Sequence, residues 1–190
     1  MTTKNKKGFT IIEVVLVLAI AGLIFLMVFI ALPALQRSQR NTQREDDMAR
    51  ILTAVNDYQT NNNGKTPFNV KGGGVLNTFV MRYIDSSCKE TTKSSGYTDL
   101  NSCGSEFTDP DGQIYKIRYV GQTTKTENLG DIVSKLSETG NNGGAFDHTF
   151  YAFTNATCGD EGQTVLGTGE RQIAIFFVME GGAIACNDNH

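Results

Sequence analysis

Between Val14 and Leu35 the chain runs 22 residues without a charged side chain, and the residues just before this run, Phe9 to Ile12, are apolar except for Thr10. As a helix the run rises about 33 Å, which matches the roughly 30 Å hydrocarbon core of a bilayer. The 190 residues amount to about one domain. A core of that size does not readily surround a helix that is apolar on every face. The segment therefore reads as a membrane span and argues against a strictly cytosolic enzyme.

The cysteines point the same way. Cys88, Cys103, Cys158 and Cys186 all lie far downstream of the run. An even count confined to one side of a span points to two disulfides in an oxidising compartment. Zinc would need a ligand spacing that is missing: there is no C-x-x-C pair, and His148 and His190 have no ligand spacing with the cysteines. No metal or other cofactor is expected. Lys4, Lys6 and Lys7 precede the run while Arg37, Arg40, Arg44 and Arg50 follow it, so basic residues alone do not orient the span. The cysteines place the N-terminus in the cytoplasm and the C-terminal part outside. A cleavable secretory signal has a shorter apolar stretch and a small-residue cleavage site, which Pro33, Leu35 and Gln36 do not provide.

In front of the span stands Lys6-Lys7-Gly8-Phe9-Thr10-Ile11-Ile12-Glu13. A glutamate at the mouth of a membrane helix is expensive and usually functional. This string, followed by about 20 apolar residues, resembles the class III leader of type IV pilins and of the pseudopilins of type II secretion. The resemblance covers about the first 35 residues and implies that a dedicated membrane peptidase, the prepilin peptidase, cuts between Gly8 and Phe9 and methylates the new amino terminus of Phe9. Glu13 matches the family's glutamate near the start of the mature chain. Gly22 matches a glycine common in the family's helix, and the helix proline stands a little later here, at Pro33.

Two roles are open to Glu13. A first-turn carboxylate is favoured by its own helix dipole by about 0.3 to 1 kcal/mol. The role implied by the resemblance is intermolecular: when subunits pack helix against helix with an axial stagger, Glu13 of one neutralises the Phe9 amine of the next. At an effective dielectric of about 20, unit charges about 4 Å apart attract by about 4 kcal/mol before desolvation is subtracted. Pro33 removes the hydrogen bond to the carbonyl of Phe29, which predicts a kink or loosened joint there.

Beyond the span, Met48, Ile51, Leu52, Val55 and Tyr58 recur at three- and four-residue intervals, so the same helix continues with one face turned onto a core. It should stop at Asn61-Asn62-Asn63-Gly64. From about Phe9 to Thr60 it would be roughly 78 Å long. The predicted organisation is a leader over residues 1–8, a membrane and filament-core helix over 9–35, its amphipathic continuation over 36–63, and an extracytoplasmic head over 64–190.

In the head a short helix is predicted over Val75 to Ile84, a turn at Asp109-Pro110-Asp111-Gly112, and strands over Ile114 to Val120, His148 to Asn155, Gln172 to Met179 and Ala183 to Cys186. The last two are joined through Gly181-Gly182, and Leu129 to Thr139 reads as helix or loop. An antiparallel sheet laid on the amphipathic half of the helix gives a pilin-like α+β fold. The cysteines allow three connectivities, of which the sequence-local one, Cys88 with Cys103 and Cys158 with Cys186, is preferred.

Catalytic constellations are lacking in the sequence. Gly64-Lys65-Thr66 has only the tail of a P-loop and follows a helix, while the Asp109 turn lacks EF-hand spacing. His148, beside Asp147, reads as a surface residue. The chain reads as a non-enzyme. From residue 61 onward ten Lys or Arg face fifteen Asp or Glu, a net of −5, which opposes direct nucleic-acid binding. The resemblance implies a homo-oligomeric filament built by an inner-membrane platform and its ATPase, serving adhesion, twitching motility or DNA uptake at the cell surface. The alternatives are a pseudopilin of type II secretion and a signal-anchored extracellular binding domain that never polymerises.

Overall fold

The computed structural model describes residues 8–68, 78–87, 97–99, 107–122, 127–132, 148–159, 163–166 and 171–189. The expectations for Lys4, Lys6 and Lys7, for Val75 and Leu76, for Cys88 and Cys103, and for residues 133–139 lie outside them. The chain divides into two units, Met1–Gln39 and Arg40–His190.

Helix α1, Ile11–Asn61, is helical at every residue, Pro33 included. In the first unit its large apolar side chains from Ile11 to Leu35 are exposed. Among the described residues it is the one helix long and apolar enough to cross a membrane. In the second unit Met48, Ile51, Leu52, Ala54 and Val55 are buried, which is the stripe that the three- and four-residue spacing predicted. The helix ends where the Asn-Gly cluster stands. Asn63 takes a left-handed φ of 55°, and Gly64 N–H donates to the Gln59 carbonyl at 2.7 Å, the six-to-one bond of a Schellman motif. Gly64 itself has φ 78°, and a Cβ there would collide with the Arg171 guanidinium.

The strands of the second unit are β1 (Tyr97–Asp99), β2 (Lys116–Gln122), β3 (Glu127–Asn128), β4 (Thr149–Thr154), β5 (Ala156–Cys158), β6 (Gln163–Leu166), β7 (Ile173–Val178) and β8 (Ile184–Asp188). They form a five-stranded sheet ordered β1-β2-β4-β7-β8 and a three-stranded one ordered β3-β6-β5. The larger sheet is antiparallel at β1–β2, β4–β7 and β7–β8, and parallel at β2–β4. The α+β layout thus stands, with one parallel junction inside the expected antiparallel sheet.

Strand periodicity divides the core in two. Phe150 and Ala152 of β4 and Ile173, Ile175 and Phe177 of β7 join Tyr115, Ile117 and the α1 stripe in one cluster. Their neighbours Tyr151, Phe153, Ala174, Phe176 and Val178 point the other way, where Leu129, Ile132 and Ala156 cover them. With both faces covered, β7 is an unbroken apolar run, as expected of a strand buried on both sides. Of the short helix predicted before the sheet, residues 78–84 are helical, with a π-turn at Val80–Ile84 that buries Val80 and Ile84. Residues 129–132 are helical as well. Cys158 of β5 and Cys186 of β8 form a disulfide.

Candidate functional site

Two places carry polar groups whose arrangement exceeds what packing requires: an ionic cluster inside the second unit, and the start of α1.

The cluster grows from the α1 face that begins the second unit. Arg40 and Arg44, one helical turn apart, project to the same side. Arg44 donates to both oxygens of Asp109 at 2.7 Å, and the two side chains are 4% and 0% exposed. Its third nitrogen, Nη1, donates to Glu180 Oε1 at 2.9 Å, while Arg40 grips both Glu180 oxygens at 2.6 and 2.7 Å. Asn41 Oδ1 accepts from Arg44 and from the Glu180 backbone, each at 3.2 Å. Asp109 is presented by the predicted turn, in which Gly112 N–H donates to its carbonyl at 2.8 Å and Gly112 takes φ 88°. Glu180 sits on the glycine turn between β7 and β8.

The electrostatics follow. Burial raises the pKa of the Asp109 carboxyl, but the Arg44 hydrogen bonds and the Asp111 backbone N–H outweigh it and hold the group below its ordinary value. Glu180 is lowered to about 2, chiefly by Arg40 and then Arg44. The hydrogen bonds to Asp109 hold the Arg44 pKa above its ordinary value. A turn further along α1, Asp47 accepts from the Tyr115 hydroxyl at 2.8 Å; burial raises the Asp47 pKa despite that bond, and burial with the bond raises Tyr115.

His148 departs from the surface position expected of it. It precedes β4 with a left-handed φ of 53°, and its side chain is 20% exposed between two carboxylates, Nδ1 3.3 Å from Asp109 and Nε2 3.4 Å from Asp111. Asp109, Asp111 and His148 thus offer donor atoms within 4.8 Å of one another. Arg44 already holds both Asp109 oxygens, which leaves that carboxylate little charge for a cation. A pocket of about 530 Å³ opens beside them, lined by Arg44, Asp111, His148, Phe177 and Glu180 among others. Sequence reasoning missed this grouping because its members come from four separated segments.

At the other place, residues 8–10 are not helical and α1 begins at Ile11. Thr10 is the residue before the first turn. Its backbone N–H and its hydroxyl both donate to Glu13 Oε2 at 2.8 Å, and Glu13 N–H reaches back to the Thr10 hydroxyl at 3.4 Å. This is a capping box, T-x-x-E, and its spacing was legible in the sequence. Phe9 and Glu13 are exposed in the isolated chain. A Cβ at Gly22 would meet nothing within 4 Å.

A family model described as the prokaryotic N-terminal methylation motif matches residues 3–29. The chain carries the class III leader of type IV pilins and pseudopilins. No curated protein and no solved structure matches significantly. The pilin-type leader implies processing by prepilin peptidase and assembly into a filament. It spans Gly8, Phe9, Glu13 and Gly22, whereas Pro33 and the cysteines lie beyond it. With α1 it fits a membrane-anchored, single-pass protein.

Proposed function

We propose that this chain is the structural subunit of a type IV pilus. In this reading prepilin peptidase cuts between Gly8 and Phe9 and methylates the Phe9 amine. Residues 9–35 anchor the subunit in the inner membrane, with the N-terminus cytoplasmic, until an assembly platform and its ATPase extract it. The same residues then form the core of a helical surface filament, with Glu13 neutralising the Phe9 amine of a neighbour, a joint at Gly22 and Pro33, and the head displayed outside.

The observation that carries this reading is the methylation motif ending inside a helix whose large apolar residues up to Leu35 are exposed. That much uncovered hydrocarbon needs a lipid or protein environment. Intact mass of the protein from its native membrane and from a sheared surface fraction tests the reading. A mass that begins at Phe9 and includes one methyl group, found in the sheared fraction, is expected. The same mass held wholly in the cell envelope would favour a pseudopilus. A mass beginning at Met1, in cells with active prepilin peptidase, would overturn both in favour of a signal-anchored domain.

A further inference from the structure

We infer that Thr10 is a positioning residue for the Glu13 carboxylate in assembly. The inference rests on the reading of Glu13 as partner to a neighbour's Phe9 amine and adds the residue that aims it. A glutamate side chain in the first turn of a membrane helix has three rotatable bonds, and left alone it turns its charge towards water and headgroups. Here the carboxylate is instead held in place against the start of its own helix. Both Thr10 donors, the backbone N–H and the hydroxyl, converge on one oxygen, Oε2, at 2.8 Å. Neither bond uses Oε1. One oxygen is therefore fixed by the chain's own cap, and in this inference the other is the one that receives the ammonium group of a second copy.

The cost side points the same way. Where water is absent, an unpaired backbone N–H or an unpaired carboxylate is costly. The box satisfies the Thr10 N–H and half of the Glu13 acceptor capacity before a neighbour arrives. Ordering of the side chain is then complete at docking, so less conformational entropy is lost on association. A residue at position 10 without a hydroxyl keeps the backbone bond and loses the second anchor.

The test is filament yield in cells expressing the full chain, with membrane level and intact mass measured alongside. Thr10→Val removes the hydroxyl at nearly constant shape; Thr10→Ser retains it. Thr10→Val is expected to be processed and to accumulate in the membrane normally, yet to assemble several-fold fewer filaments, with Thr10→Ser restoring the yield. Glu13→Gln keeps a capping acceptor without the charge, and is expected to abolish assembly; Thr10→Val added to it should change nothing more. Parental yield for Thr10→Val, or a Thr10→Ser yield as low as that of Thr10→Val, overturns the positioning role and leaves the Glu13 reading standing. Failure of Thr10→Val to be cleaved overturns it too, assigning Thr10 to peptidase recognition. Normal filaments from Glu13→Gln would bring down the charge pair and the positioning role together.

Discussion

One helix, α1, has two opposite chemistries along its length. In the first unit its large apolar side chains are exposed, and at its very start Thr10 and Glu13 bond to each other. In the second unit its inner face is fully engaged: Arg40, Arg44 and Asp47 bond to groups far away in sequence, and Met48 to Val55 close the core. The first half is left uncovered by the described residues, whereas the second is covered by the chain itself. Substitutions on the two halves should therefore fail in different assays.

The largest effect is expected at Arg44. Replacing it with Ala leaves Asp109 buried without its partner, and breaking a buried pair from one side typically costs about 3 to 5 kcal/mol. Chemical denaturation of the detergent-solubilised chain should register this as a large drop in midpoint. A change below about 1 kcal/mol would mean that water reaches the pair and that it behaves as a surface bridge.

Next comes a matched pair on the same helix. Ile51 is fully buried, so Ile51→Ala should cost about 2 to 5 kcal/mol. Ile24 is exposed, and Ile24→Ala should leave the midpoint within about 0.5 kcal/mol while lowering filament yield. Equal destabilisation at both positions would erase the distinction between the halves. Removing the Cys158–Cys186 bridge, by Ser at both positions, is expected to cost about 2 to 4 kcal/mol in the same denaturation assay. It should not alter membrane insertion.

What could be read from the sequence follows the same division. Local signals held: the uncharged run, the apolar stripe from Met48 to Val55, the Asn-Gly helix stop and the DPDG turn each depend on residues within a few positions of one another. Long-range pairings were not legible. Arg44 looks like one of several basic residues flanking a span, and only the fold brings it to Asp109, 65 positions away, and Glu180, 136 positions away. The parallel pairing of β2 with β4 has no local signature, since either strand alternates in the same way whichever direction its neighbour runs. His148 reads as the first residue of a strand in the sequence, whereas in the fold it stands before β4 in a left-handed conformation that turns it between two carboxylates. The capping box is legible as T-x-x-E, but the spacing does not tell that both Thr10 donors meet on one carboxylate oxygen.

The smallest effect expected is in acid. Glu180 and Asp109 both titrate below their ordinary values in the fold, so their contribution is complete above the unfolded values and is lost as pH falls through the folded ones. For Glu180 that window runs from 4.5 down to about 2. Asp47 works against the trend: its folded value is raised, so it destabilises the fold when ionised, and acid relieves that penalty. The net loss between pH 4.5 and 2 should therefore be smaller than the two lowered carboxylates alone would give. Glu180→Gln retains an acceptor for Arg40 while removing the titration. The variant should have a lower Tm than the parent at neutral pH, and its Tm should fall less steeply through that window. Of the shifted carboxylates, Asp109, held by Arg44, and Asp47, with its opposite sign, then remain to shape the acid response. Parallel Tm profiles for the parent and the variant would mean that Arg40 and Arg44 discriminate no more between the charged and neutral forms of Glu180 than water does, and would return that bridge to the surface.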